Sequence, residues 1–79
     1  MGLTRYLVGY RKKNKLLQKE LAGALNISRE HYAQIESGKI QPSIKLLRAI
    51  SSQLKLDIRI DIARGKSLLL YKLKISRRP

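Results

Sequence analysis

The chain has no cysteine and only one histidine among its 79 residues. These absences exclude disulfides within the chain and leave few ligands for a metal site, so we expect neither a metal nor any other cofactor. No stretch approaches the ~20 apolar residues of a membrane span, and the N-terminal segment lacks the apolar run of a signal peptide. We therefore expect one small cytoplasmic domain without a membrane partner. Because so short a chain buries only about 60–65% of its unfolded surface, dimerisation is the stabilising device that remains.

Acidic residues are also scarce. Five Asp and Glu stand against 18 Lys and Arg, which gives a formal net charge of +13. Such an excess favours a polyanionic partner, with nucleic acid first and an anionic membrane surface second. The alternative is a charge that only makes the surface soluble. Two of the five acids and the one histidine lie within "NISREHYAQIE", residues 26–36, so this segment needs a specific explanation.

Four short helices are predicted from the apolar spacing and from the residues that begin and end helices. Ser28 and Ser43 are suited to N-cap positions, whereas Asn26 and Gly38 tolerate the left-handed backbone that follows a helix. The helices are predicted over residues 3–13, 18–26, 29–36 and 44–54.

From residue 54 onward the apolar spacing changes to strict alternation, which predicts a β-hairpin with one wholly apolar face. A turn at Arg64-Gly65 would set its register. The predicted opposed pairs are Leu56 with Leu73, Ile58 with Tyr71, Ile60 with Leu69 and, on the polar face, Asp57 with Lys72.

Residues 18–36 have the spacing of a helix-turn-helix, in which a first helix packs and a second keeps one face exposed. On the second helix Tyr32 and Ile35 point inward, with Glu36 beside them. The exposed face consists of Arg29, Glu30, Ala33 and Gln34, with His31 at its margin. An arginine and a glutamine on such a face can meet base edges in the major groove of DNA.

The stretch "LLQKELAGALNISREHYAQIESGKIQPSIKLLRAISSQL" resembles the lambda-repressor-like (Cro/C1, Xre) helix-turn-helix family. The resemblance extends over roughly residues 3–56 and is most specific at "QKELA", "ISR" and "IESGKIQPS". It implies a mainly α fold, a four-to-five-helix lambda-repressor-like DNA-binding domain, here followed by the C-terminal β-hairpin. We accordingly divide the chain into a DNA-binding domain (residues 1–55), a hairpin (56–75) and a basic tail (76–79).

The resemblance also implies roles for individual residues. Gln18 looks like the family's glutamine that bonds a phosphate and buttresses the recognition helix. Arg11 and Glu36 match a partly buried salt bridge between the first and third helices. Base-reading positions fall on Arg29, Glu30 and Gln34, and phosphate-contacting positions fall on Ser28 and Lys39. Two residues depart from the pattern: Leu17 replaces the usual Thr or Ser cap, and Lys15 replaces the usual glycine, so we expect Asn14 to take the left-handed conformation instead.

For several residues of this surface, the sequence allows two interpretations. Glu30 either accepts a hydrogen bond from cytosine or only favours the helix dipole. Arg29 contacts either guanine or a phosphate, and Gln34 suits adenine. His31 either contacts a phosphate or packs. Because His31 has no second ligand or substrate pocket, we do not expect an enzyme.

The hairpin keeps two readings as well, since its apolar face must be covered. It either folds back onto the helices or meets a second copy of the chain, and we favour the second arrangement. Antiparallel pairing of the first strand with itself about Ile58 sets Asp57 against Arg59, which is self-complementary in charge. The predicted dimerisation residues are Leu56, Ile58, Ile60, Leu69, Tyr71 and Leu73.

The sequence therefore predicts a sequence-specific regulator, most simply a repressor, that binds double-stranded operator DNA as a homodimer through residues 29–36. The order of helix-turn-helix and strand also resembles the HipB-type antitoxins. The alternative is thus an antitoxin or protein-interaction module that neutralises a toxin or other partner and regulates its own operon. A third reading is non-specific packaging of nucleic acid, which predicts equal affinity for any duplex.

Overall fold

The computed structural model describes residues 2–62 and 71–77, and at 60–62 and 71–73 it describes the backbone alone. In these ranges four helices precede an antiparallel pair of strands, so the predicted fold class is confirmed. The elements are α1 (Gly2–Asn14), α2 (Gln18–Ala24), α3 (Arg29–Glu36), α4 (Ile44–Leu54), β1 (Leu56–Ile62) and β2 (Tyr71–Arg77).

Helices α3 and α4 begin and end where the sequence predicts, and the predicted caps explain why. The Ser28 hydroxyl accepts a hydrogen bond from the His31 N–H at 3.1 Å, and the Ser43 hydroxyl accepts one from the Leu46 N–H at 3.1 Å. Before α3, Asn26 has a φ of 61°, and Gly38 after it has a φ of 81°. Both residue types tolerate this left-handed conformation, so the turns are sharp and specific.

The turn between α1 and α2 differs from the prediction at Asn14. Lys15, not Asn14, takes the left-handed conformation, with a φ of 54°. Asn14 stays helical because its side-chain amide donates to the Tyr10 carbonyl, one turn earlier, at 2.9 Å. Leu17 provides no side-chain cap for α2; instead the Glu20 carboxylate accepts a hydrogen bond from the Leu17 N–H at 2.7 Å. Half of a capping box therefore replaces the missing Ser or Thr.

The hydrophobic core lies between the four helices. Its largest fully buried side chains come from every helix: Leu7, Leu21, Tyr32, Leu47 and Ile50. Leu56, the first residue of β1, joins this cluster and is 3% exposed. The core thus fixes the position of α3 from within and leaves its other side open. No helix in the described ranges is long and apolar enough to cross a membrane.

The hairpin register predicted from the sequence is wrong by four residues. Ile58 lies opposite Ile75 rather than Tyr71, and Asp57 lies opposite Ser76 rather than Lys72. An alternating pattern has a period of two, so a shift of four keeps the apolar residues on one face and the pattern cannot choose between the two registers. The predicted turn at Arg64-Gly65 lies outside the described residues.

The base of the hairpin is attached to the helices, and this attachment accounts for the register. Leu56 is buried in the core, while Ile58 and Ile75 pack partly buried against it. The Tyr6 hydroxyl on α1 donates to the Ile75 carbonyl at 3.4 Å. These contacts place Leu56 opposite Arg77, so β2 extends through Ser76 and Arg77 into the segment expected to be a tail.

Candidate nucleic-acid interface

The geometry of the helix-turn-helix depends on one buried carboxylate, that of Glu36 at the end of α3. Glu36 is 7% exposed. The Arg11 guanidinium on α1 reaches it with two hydrogen bonds, from Nε to Oε2 at 2.7 Å and from Nη2 to Oε1 at 2.8 Å. A third Arg11 donor, Nη1, binds the Leu16 carbonyl at 3.2 Å. The structure thus brings the predicted pair together, in the two-pronged geometry that makes arginine–carboxylate pairs specific.

Two further donors complete the environment of this carboxylate. The Gln18 amide at the start of α2 donates from Nε2 to Oε1 at 3.1 Å. The Tyr32 hydroxyl, one turn before Glu36 on α3, donates to Oε2. Glu36 therefore connects α1, α2 and α3 through four hydrogen bonds. We refer to Arg11, Gln18, Tyr32 and Glu36 together as the Glu36 cluster.

Sequence reasoning missed the part played by the Tyr32 hydroxyl, because Tyr32 was assigned only to the apolar core. Its ring is indeed fully buried. The available signal was the spacing of Tyr32 and Glu36, since residues four apart on a helix are neighbours. A buried tyrosine also requires a partner for its hydroxyl.

The hydrogen bonds in this cluster fix the charge of each member. Burial by itself raises the pKa of Glu36, but the hydrogen bonds from Arg11, Tyr32 and Gln18 outweigh burial, so its pKa lies below the ordinary value. Burial, together with the hydrogen bond to Glu36, raises the pKa of Tyr32. The hydrogen bond to Glu36 outweighs burial and raises the pKa of Arg11. At neutral pH the cluster therefore holds a carboxylate, a phenol and a guanidinium.

A chain of polar contacts leads from this cluster to the exposed side of α3. The Gln18 amide, which donates to Glu36, accepts through Oε1 a hydrogen bond from Arg29 Nη1 at 3.4 Å. Arg29 Nη2 lies 3.9 Å from the Glu30 carboxylate, and these two side chains are 53% and 77% exposed. The first turn of α3 thus presents an exposed guanidinium that lies beside two polar side chains, those of Gln18 and Glu30.

The other predicted contact residues lie on α3 and at its two ends. Gln34 and Lys39 are exposed, and His31 is half-buried at the margin of the face. The Ser28 side chain is exposed, but its oxygen is engaged in capping α3. In the described part of the chain, no three His, Cys, Asp or Glu side chains are grouped so as to hold a metal ion.

The predicted dimerisation residues fall into three groups. Leu56 lies in the hydrophobic core between the helices, and Ile58 is half-buried against that core. Ile60, Tyr71 and Leu73 are placed by their backbone only, in β1 and β2. Leu69 lies outside the described residues.

A helix α2 that packs, a capped turn, and a helix α3 with one face open define a helix-turn-helix DNA-binding domain. Comparison with known families agrees, since a family model described as helix-turn-helix matches residues 9–60. The chain belongs to this family, of the Cro/C1 type, which is a class of DNA-binding transcription regulators.

Among individual proteins, the chain is similar to the "ImmF control region 10 kDa protein" of Bacillus phage phi105. The two are 40% identical over 50 residues, which make up 63% of this chain and 56% of the relative. The chain therefore spans little more than half the length of the relative it matches. No solved structure matches the chain.

Proposed function

We propose that the protein is a sequence-specific repressor that binds operator DNA as a homodimer, with α3 in the major groove. The observation that carries this proposal is the open face of α3, which is held in position by the buried Glu36 cluster. A helix fixed from inside and polar outside meets the requirement for reading base edges. The relationship to a phage control-region protein supports a role in transcriptional control.

The proposed contacts fall into two classes. Arg29, Glu30 and Gln34 are exposed on the open side of α3; Arg29 and Gln34 are assigned to the bases, and Glu30 lies beside Arg29. Gln18, Ser28, His31 and Lys39 are assigned to the phosphates. Gln18 is suited to this because its amide nitrogen, which donates to Glu36, carries a second hydrogen that can point to a phosphate oxygen.

The proposed homodimer is formed through the hairpin. β1 pairs with β2 on one side only within the described sheet, so its other edge can pair with the same edge of a second copy. Antiparallel pairing about Ile58 sets Asp57 of each copy against Arg59 of the other, which joins opposite charges. Because Leu56 belongs to the subunit core, its side chain braces the hairpin rather than contacting the second copy. A two-fold dimer presents two α3 helices to two half-sites.

The experiment that tests this proposal is selection of bound sequences from random duplex DNA by the complete chain. We expect an inverted repeat, and sedimentation of the protein as a dimer at the concentration used. If about 6–8 residues contact phosphates, affinity should fall roughly 10³–10⁴-fold between 50 and 200 mM salt. A reporter with the selected site across its promoter then tests repression.

Two outcomes would contradict the proposal. Equal affinity for every duplex would indicate packaging of nucleic acid. Absence of binding, together with a stoichiometric complex with an acidic protein, would indicate an antitoxin or interaction module.

A further inference from the structure

We infer that Glu30 is a positioning residue which, together with Gln18, holds Arg29 in place to read a guanine in each half-site. This inference rests on the proposed function and extends it by naming a base and the residue that makes its recognition selective. It replaces the two earlier readings of Glu30, as a reader of cytosine or as an acid that only favours the helix dipole.

The first support for Arg29 comes from the buried cluster. Because the Glu36 carboxylate only accepts hydrogen bonds, the Gln18 amide must turn its nitrogen toward Glu36, 3.1 Å away. The amide oxygen is thereby directed outward, where it accepts from Arg29 Nη1 at 3.4 Å. The amide cannot flip without losing both contacts. One edge of the guanidinium is thus tied to the core through two hydrogen bonds.

The second support for Arg29 is Glu30. Its carboxylate lies 3.9 Å from Arg29 Nη2, and both side chains are more than half exposed. In the free protein solvent screens this pair, so it contributes little to stability. When a duplex covers the surface and water leaves, the same attraction strengthens because the local dielectric falls. Glu30 therefore acts mainly in the complex.

Glu30 also disfavours the wrong contact. A lone arginine beside a duplex binds any phosphate, which adds affinity without selectivity. A carboxylate at 3.9 Å from the guanidinium partly neutralises it and repels the phosphates itself. Arg29 is thereby directed to base edges, and non-specific binding is weakened.

The geometry of the held guanidinium selects guanine. Each terminal nitrogen carries two hydrogens; one nitrogen is engaged by Gln18 and the other lies beside Glu30. One hydrogen on each terminal nitrogen is left, and these two hydrogens form a pair of donors. In the major groove, guanine presents two neighbouring acceptors, O6 and N7, whereas adenine and thymine each present one acceptor beside a donor or a methyl group.

The test compares sequence selection by the wild-type chain with that by Glu30→Gln, Glu30→Asp and Arg29→Ala. Arg29→Ala should abolish the guanine preference, which a two-pronged contact sets at about 5- to 150-fold. Glu30→Gln should keep guanine preferred but lower its discrimination by about threefold to tenfold, a part of that range. Affinity for unrelated duplex should rise. Glu30→Asp retains the charge, but its side chain is shorter. Its guanine discrimination should therefore lie between that of the wild type and that of Glu30→Gln.

Glu20→Gln is the matched control. Glu20 also lies in the first turn of a helix and is exposed, but its carboxylate accepts from the Leu17 N–H instead of facing an arginine. Its removal changes the net charge equally and should leave guanine discrimination unchanged. Circular dichroism of each variant is the check that the variant is folded.

Three results would overturn the inference. Loss of a cytosine preference at another position in Glu30→Gln would make Glu30 a base reader. Unchanged guanine discrimination in Glu30→Gln, or guanine discrimination in Glu30→Asp equal to that of the wild type, would mean that Glu30 only favours the helix dipole. Absence of any sequence preference in the wild-type chain would instead reject the proposed function itself.

Discussion

The four-helix part and the hairpin each contain an arginine–carboxylate pair, and the two pairs differ in what surrounds them. Arg11 and Glu36 have side chains that are 20% and 9% exposed, and they meet at 2.7 Å among further donors. Arg59 and Asp57 are 79% and 53% exposed and lie 3.9 Å apart on one face of β1. The first pair joins three helices in one geometry, whereas the second belongs to a solvated face. The buried pair therefore fixes the relative positions of helices, whereas the exposed pair on β1 adds little to the stability of the fold.

The sharpest test of this difference removes one charge from each pair. Glu36→Gln should lower the free energy of unfolding by about 3 kcal/mol, the lower end for a broken buried pair, because Arg11 is partly exposed. Asp57→Asn should change it by less than about 0.5 kcal/mol. Urea unfolding of both variants measures the two values. Equal effects would remove the distinction between the two regions.

The second test compares the contributions of two β1 residues to the free energy of unfolding. Leu56 lies at the buried base of the hairpin, and Ile58 is the next residue on the same face. Leu56→Ala should cost about 2–3 kcal/mol because Leu56 lies in the core at 3% exposure. Ile58→Ala should cost about 1 kcal/mol within the subunit, since Ile58 only packs partly buried against that core. Urea unfolding gives both costs, and sedimentation of Ile58→Ala shows whether it also weakens the proposed dimer. A larger cost for Ile58 than for Leu56 would mean that the base does not brace the hairpin.

The caps and turns were predictable from the sequence where a single local chemical signal decides the structure. Ser28 and Ser43 cap their helices, and Asn26 takes the left-handed backbone, because each depends on a few neighbouring atoms. The expectation for Asn14 was wrong because its side chain had a helical alternative, the Tyr10 carbonyl. Such competition between two local options is not visible in residue types alone.

The candidate site was predictable in position but not in its connections. The resemblance placed Arg11 and Glu36 together, the helical wheel placed Arg29 on the open face, and the structure has them there. The polar chain from Glu36 through Gln18 to Arg29 depends on which way an amide turns. A helical wheel places residues on faces, yet it carries no information on amide orientation.

The third test uses pH to isolate the Glu36 cluster. In the folded protein the pKa of Glu36 lies below the ordinary value. The stabilisation that the charged carboxylate provides is therefore fully present above the unfolded pKa, about 4.3. It is lost as the pH falls through the folded pKa. The stability difference between wild type and Glu36→Gln should therefore be constant near neutrality and shrink below about pH 4.3. Urea unfolding between pH 7 and pH 3 measures it. A difference that stayed constant throughout would mean that the carboxylate is not stabilised in its charged form.

The smallest expected effect tests the hairpin register, where the sequence pattern was degenerate. Arg59 lies directly opposite Lys74 in the structure, and like charges so placed repel each other. A double-mutant cycle of Arg59→Glu and Lys74→Glu should give a coupling free energy of about 0.5 kcal/mol at low salt. The cycle cancels the separate loss of the contact between Arg59 and Asp57. As a control, Lys55 would face Lys74 only in the register set by a turn at Arg64-Gly65. A cycle of Lys55→Glu and Lys74→Glu should therefore show no coupling. Coupling in this cycle and none between Arg59 and Lys74 would indicate the register predicted from a turn at Arg64-Gly65.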